Sequence, residues 1–161
     1  MNPRLHVISS DNRQLNQIID VISDFDCAPF FQRHLGLPQS DQKKIVDEFQ
    51  NELFSYLKSI LNKTLWDTDY SPSDNSRDTI DIVGFNNDST IVIELDKHRA
   101  DQVAKKFISR TALLVDKKLI YIALCYPGTN RMNPNECIKY FTYCKCISKK
   151  LGNEYAGYIT E

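Results

Sequence analysis

The stretch that decides the fold is RDTIDIVGFNNDSTIVIELD, residues 77–96. Residues 77–85 and 91–96 are mainly apolar runs with the composition of strands. The segment NNDS between them, residues 86–89, is typical of a turn, because Asn and Asp tolerate left-handed backbone. The stretch therefore predicts a β-hairpin.

Three carboxylates interrupt this hairpin. Side chains of a strand alternate between two faces, so Glu94 and Asp96 share one face. The opposite layer receives Ile91, Ile93 and Leu95. With Asn87 and Asp88 at the tip of the hairpin, the register places Asp81 opposite Glu94. The sequence thus predicts one patch of sheet that carries all three acids.

Such a patch needs positive charge. Like charges directly across a sheet are destabilising, and half-buried carboxylates require a counter-charge or must take up protons. A divalent cation meets this need, and carboxylate oxygens suit Mg²⁺ or Mn²⁺. The alternative is a set of surface acids on a solvent-facing sheet, which Val83 and Val92 on the same face disfavour.

The remaining periodicity predicts a mixed β-sheet flanked by helices, in an α/β fold of one domain over residues 1–161. Apolar residues at helical spacing predict a short helix that contains Leu15, Ile18, Ile19 and Ile22. They predict a second helix over residues 41–61, with Ser40 as its N-cap. Further predicted elements are a strand at 64–70, a helix at 98–115, a buried strand at 119–126, a helix from the Asn133 cap and Pro134 to about residue 151, and a strand at 155–160.

The overall composition is that of a globular protein. Hydrophobic residues make up 42% and charged residues 25% of the chain, which excludes a disordered class. No apolar run approaches the roughly 20 residues that span a bilayer, and residues 1–30 show no secretory signal. We therefore expect a cytoplasmic protein with no membrane partner.

The five cysteines leave two interpretations open. They form an odd set without paired CxxC spacing, and in a reducing compartment they stay thiols. Cys137, Cys144 and Cys146 could bind zinc, or they could be small apolar side chains on a helix.

Charge is unevenly distributed along the chain. Residues 1–96 carry a net charge of −8 and residues 97–161 a net charge of +7. A basic flank indicates a nucleic-acid surface, although solvated helix faces produce the same count. On the helix at 98–115, the face away from the apolar residues carries Arg99, Gln102, Lys106 and Ser109, and Lys105 and Arg110 extend it.

The order of these elements resembles a known nuclease core. Over roughly residues 41–126, the predicted order is a helix, a strand pair that carries Asp and then an acidic motif, a helix and a buried strand. This order is similar to the core of the PD-(D/E)XK nuclease superfamily. The motif here is Asp81, followed after thirteen residues by Glu94-Leu95-Asp96-Lys97. The resemblance implies a restriction-endonuclease-like fold in which Asp81 and Glu94 bind Mg²⁺, with Asp96 as a third ligand.

Position 96 departs from the family pattern, which usually has a lysine there as an electrostatic and water-orienting group. Lys97 follows directly, but a regular strand directs it to the other face. Arg99 or Gln102 could substitute, since the family is known for migrated and replaced lysines. The family's first helix often adds a glutamate, and Glu52 is the better candidate, at about 80° from the centre of the apolar stripe.

Three functions remain open at this point. The first is a Mg²⁺-dependent DNA endonuclease acting in defence or repair, with a homodimer as one way to cut two strands. The second is a nucleic-acid-binding or assembly module that keeps the fold without cleavage, and the third is a nuclease acting on RNA.

Overall fold

The computed structural model describes residues 2–32, 34–73, 78–114, 116–129 and 132–160. Within them, strands and helices alternate irregularly along the chain. The elements are β1 (Pro3–Ile8), α1 (Arg13–Asp24), α2 (Ala28–Phe31), α3 (Gln39–Ile60), β2 (Leu65–Tyr70), β3 (Ile80–Phe85), β4 (Ser89–Lys97), α4 (Ala100–Leu113), β5 (Lys118–Tyr126), α5 (Pro134–Lys150) and β6 (Glu154–Thr160).

The strands form one mixed sheet with helices on both faces. Its order is β1-β6-β5-β4-β3-β2. Strands β4, β5 and β6 are parallel neighbours, and the pairs β1/β6, β2/β3 and β3/β4 are antiparallel. The predicted α/β class with a mixed sheet flanked by helices is confirmed.

Two apolar layers hold the helices to the sheet. On one face, α1 and α3 cover a core that includes Ile91, Ile93 and Leu95. On the other face, α4 and α5 cover a second core that includes Val83 and Val92. Strand β4 is therefore buried on both sides, which explains its nearly continuous apolar sequence.

The hairpin register follows the prediction. Ile82 pairs with Ile93 and Val83 with Val92, so the same register places Asp81 across from Glu94. In the turn, the Asn86 side-chain oxygen accepts hydrogen bonds from the backbone N–H groups of Asp88 and Ser89, at 3.0 and 2.8 Å. The predicted strand at 77–85 begins later, at Ile80, and residue 77 lies outside the described residues.

Several predicted helix ends shift. Helix α3 begins at Gln39 with Pro38 in the cap position, so the prediction of Ser40 as N-cap is wrong. Pro38 has a φ of −54° and a ψ of 149°, so the helical backbone begins at the residue after it. The cap of α5 is confirmed, because the Asn133 side chain accepts a hydrogen bond from the Asn135 N–H at 3.0 Å. Residue 115, part of the predicted fourth helix, lies outside the described residues.

Strand β1 and the four-residue helix α2 were not predicted. Strand β1 pairs with β6, the strand most distant from it in sequence, so no local turn signal marks the pairing. None of the helices in the described ranges is long and apolar enough to cross a bilayer.

Candidate functional site

The three predicted acids lie on one face of the sheet. Strand β3 supplies Asp81, and β4 supplies Glu94 and Asp96. Their face is the one covered by α4 and α5, while the residues between them on β4 pack into the opposite core. Glu94 is fully buried, and Asp96 is 5% exposed. The predicted grouping of the acids is confirmed.

The carboxylates converge on an ammonium group from helix α4. Lys106 Nζ lies 2.8 Å from Glu94 Oε2, 3.1 Å from Asp81 Oδ2 and 3.1 Å from Asp96 Oδ1. It also donates to the backbone carbonyl of Leu95 at 3.3 Å. Asp81 is fixed in turn, since its Oδ2 accepts the Leu95 N–H at 2.7 Å. The sequence predicts a metal ion as the counter-charge of these acids. In the structure, Lys106 supplies positive charge at this point.

A second cation holds the other side of Glu94. Arg110 Nε lies 2.6 Å from Glu94 Oε1, and Arg110 Nη2 donates to the Thr79 carbonyl at 2.6 Å. Its Nη1 is 3.4 Å from Asp78 Oδ2. Arg110 is only 4% exposed, so its predicted place on the solvent-facing side of the helix is wrong. It lies three residues after Phe107 and seven after Val103, within the buried stripe of α4.

The cluster retains an excess of negative charge. Three carboxylates face two cations, a formal charge of −1 before Asp78 is counted. Burial, with Asp81 close by, raises the pKa of Glu94 to about 8. Burial also raises the pKa of Asp96. Burial alone would lower the pKa of Lys106, but Glu94, Asp81 and Asp96 raise it above its ordinary value. The site therefore favours one additional positive charge, a proton or a metal ion.

The acids of the cluster have the ligand chemistry of a divalent-cation site. Asp96 Oδ2 is buried and accepts no hydrogen bond from the described residues. Carboxylate oxygens are hard ligands of the kind Mg²⁺ prefers. In the described part of the chain, however, no group of three or more His, Cys, Asp or Glu side chains is arranged to hold a metal, and Lys106 takes the central position.

The cluster is accessible to solvent along one side. Asp81 and Lys106 keep 21% and 23% of their side chains exposed, whereas Glu94 and Asp96 lie beneath them. A ligand from solvent would therefore meet Asp81 and Lys106 first.

Other predicted site residues lie apart from the acids. Lys97 turns to the α3 face, where its Nζ is 3.4 Å from Gln42 Oε1. Arg99 is exposed and pairs with Asp101 at 2.8 Å, and Gln102 donates to the same carboxylate at 3.2 Å. The described residues show no hydrogen bond or ion pair from either Arg99 or Gln102 to the acid cluster.

The prediction that Glu52 joins the site is wrong. Helix α3 packs on the face that carries Ile93 and Leu95, and the acids project from the other face. Glu52 is exposed and lines a groove beside α1 with Glu48. The helical wheel placed Glu52 correctly relative to the apolar stripe, but it contains no information on which face of the sheet the helix covers.

Sequence reasoning missed Lys106 and Arg110 as partners of the acids. A signal was present, because the two residues are four apart on one helix and Arg110 interrupts the stripe formed by Val103 and Phe107. Because the preceding strand carries buried acids, a cation that faces inward from the next helix is expected to compensate their charge.

The cysteines do not form a site in the described residues. All five are free thiols, and Cys137 and Cys144 are buried whereas Cys146 is exposed. Cys125 and Cys137 belong to the core between the sheet and α5, as small apolar side chains do.

We compared the chain with models of known protein families, with curated proteins and with solved structures, and none matched.

Proposed function

We propose that this chain is a nuclease-like domain of the PD-(D/E)XK type that hydrolyses phosphodiester bonds of DNA with Mg²⁺ or Mn²⁺. The observation that carries the proposal is the convergence of three carboxylates from adjacent strands on one cation, Lys106. The succession of α3, the strand pair β3 and β4, α4 and β5 supports it, since the resemblance predicts a helix, a strand pair with the acids, a helix and a buried strand.

Lys106 is our candidate for the cation that the family usually places at position 96. It comes from helix α4 and reaches the same face as Asp96. Arg99 and Gln102, the substitutes suggested by the sequence, pair with Asp101 on the surface. The proposal therefore assigns the electrostatic role to Lys106 and leaves Arg99 and Gln102 as candidate phosphate contacts on the exposed side of α4.

The assigned roles follow from charge. A bound Mg²⁺ supplies a Lewis acid for the phosphate and a water of lowered pKa. Asp81, Glu94 and Asp96 are the residues that would hold it. Arg110 fixes the orientation of Glu94 through the contact at 2.6 Å. With the charge of the carboxylates offset by a bound metal ion, the partly exposed Lys106 would add positive charge near phosphate oxygens, whose charge must be neutralised for binding and for reaction.

A cleavage assay tests the proposal. Purified chain is incubated with supercoiled plasmid, single-stranded DNA and RNA, with Mg²⁺, Mn²⁺ or a chelator. We expect metal-dependent DNA cleavage that falls by about 10²- to 10³-fold in Lys106→Gln, the typical cost of removing one well-placed electrostatic donor. Asp81→Asn and Glu94→Gln should lose cleavage as well, while circular dichroism confirms that each variant is folded.

Lys105→Gln is the matched control, because it removes one lysine from the exposed side of the same helix. Equal losses in Lys105→Gln and Lys106→Gln would show that only the overall charge of α4 matters, and the assigned role of Lys106 would then be wrong. Cleavage of RNA alone would replace DNA as the substrate class.

The second candidate is a nucleic-acid-binding or assembly module without cleavage. It is favoured by Asp96 at the usual lysine position and by Lys106 at the point where the acids converge. Wild-type protein that binds DNA but cleaves nothing with any metal would support it. Gain of cleavage in Asp96→Lys would identify a nuclease fold that lost its lysine. If Lys106 already supplies the cation, Asp96→Lys instead removes a ligand and adds repulsion, and cleavage should fall.

A further inference from the structure

A groove lies on the opposite layer of the molecule from the acid cluster. It runs between the end of α1, helix α2 and two turns of α3, and it has a volume of about 510 Å³. The residues that line it pack beside the core of the α1 and α3 face. The groove is therefore separated from the carboxylates near Lys106 by the sheet.

The floor of the groove is aromatic. Phe25 and Phe30 stack with ring centroids 6.3 Å apart and an interplanar angle of 15°. Tyr56 contacts Phe25 with centroids 5.4 Å apart. All three rings line the groove and are only partly buried, so a part of each ring remains exposed to a ligand.

The rim of the groove is acidic on both sides. Glu48 and Glu52 are one helical turn apart on α3, and Asp24 and Asp26 stand on the facing segment. Asp24, Glu48 and Glu52 make no ion pair or hydrogen bond through their side chains with any described residue, and no lysine or arginine is among the described residues that line the groove. Aromatic rings between two rows of carboxylates form a surface complementary to an organic cation.

We propose that this groove binds an arginine-bearing basic segment of a partner protein. A guanidinium is planar, lies flat on aromatic rings and donates two parallel hydrogen bonds to a carboxylate. The groove offers both kinds of partner side by side, and it is wide enough for more than one side chain. Nucleic acid does not suit it, because its phosphates would face four carboxylates. The proposal is independent of the nuclease function.

Isothermal titration calorimetry with short synthetic peptides tests the proposal. The probes are a peptide in which Arg alternates with Ala, the same peptide with Lys in place of Arg, and the same peptide with citrulline. We expect the Arg peptide to bind most tightly, the Lys peptide more weakly, and the neutral citrulline peptide not at all. Glu52→Gln and Tyr56→Leu should each weaken binding of the Arg peptide by about tenfold, since each removes a charge-assisted or cation–π contact.

Asp47→Asn is the control, because it removes one negative charge from an exposed position of α3 outside the groove. If Asp47→Asn weakens the Arg peptide as much as Glu52→Gln does, binding follows net charge and the groove is not a site. Equal affinity for the Arg and Lys peptides would overturn the choice of arginine. Self-association of the wild-type chain that Glu52→Gln abolishes would replace the separate partner by a second copy.

Discussion

The two faces of strand β4 bury their side chains by opposite means. On the α3 side, Ile91 and Ile93 are enclosed by hydrocarbon and aromatic rings. On the α4 side, Glu94 is equally buried but is enclosed by the charged groups of Lys106 and Arg110. The difference shows that a position without solvent exposure is not necessarily an apolar packing position, because buried charges that compensate one another also fill it.

The two faces also respond differently to loss of a neighbour. Removing part of an aliphatic side chain leaves a cavity, and the cost is limited to the transfer free energy of the removed atoms and the energy of that cavity. Removing one member of a buried ionic cluster leaves the others without compensation, which costs more than the cluster itself contributes. The face with the acids should therefore be the more sensitive one.

The largest expected effect follows from Lys106→Met. The change leaves three carboxylates around an uncharged side chain, and we expect a loss of about 3–5 kcal/mol in the free energy of unfolding at neutral pH. The acids would then take up protons more readily in the folded state, so the loss should shrink as the pH falls. Urea unfolding in the presence of a chelator, at pH 8 and at pH 5, measures both quantities.

Lys105→Met is the control for Lys106→Met, because Lys105 is exposed on the same helix. It should change stability by less than about 0.5 kcal/mol, as surface substitutions usually do. A loss in Lys106→Met that is equally small would mean that solvent already screens the cluster, and the contrast between the two faces would disappear.

This contrast could be read only in part from the sequence. Alternation along β4 and the Asn86 turn placed Asp81 and Glu94 on one face, because both signals are local. The face covered by each helix depends on how the chain crosses the sheet, so Glu52 was assigned to the wrong side. The orientation of α4 was also predicted incorrectly at one position. Arg110 was placed on the exposed face, because a charged residue was interpreted as solvated, but it is buried.

An intermediate effect is expected on the apolar face. Ile93→Val removes one methylene from a fully buried side chain, and it should cost about 0.5–1.5 kcal/mol. No charge changes, so the loss should be the same at pH 8 and at pH 5 in urea unfolding. A strongly pH-dependent loss would show that the two layers are coupled through the strand, contrary to the separation described above.

The smallest expected effect concerns an ionisable group on the apolar side. His34 is fully buried against the rings of Phe31 and Tyr126, and neither ring nitrogen has a hydrogen-bond partner among the described residues. Burial, assisted by the nearby charge of Lys97, lowers the pKa of His34 below its ordinary value of 6.5. The folded protein thus keeps the ring neutral, whereas Glu94 on the other face lies between two cations.

The sign of the pH effect follows from this difference. Near pH 6.5 the unfolded chain takes up a proton at His34 that the folded chain does not, so the contribution of His34 to stability is complete above that pH and is lost as the pH falls through it. His34→Phe keeps an aromatic ring and removes the titration, and it should lose less stability than the wild type between pH 7.5 and pH 5.5. The measurement is the difference in free energy of unfolding between the two pH values for each protein. If this difference is the same in wild type and His34→Phe, charged His34 must be stabilised by a hydrogen-bond acceptor in the folded protein. The α3 face would then share the ionic character of the α4 face.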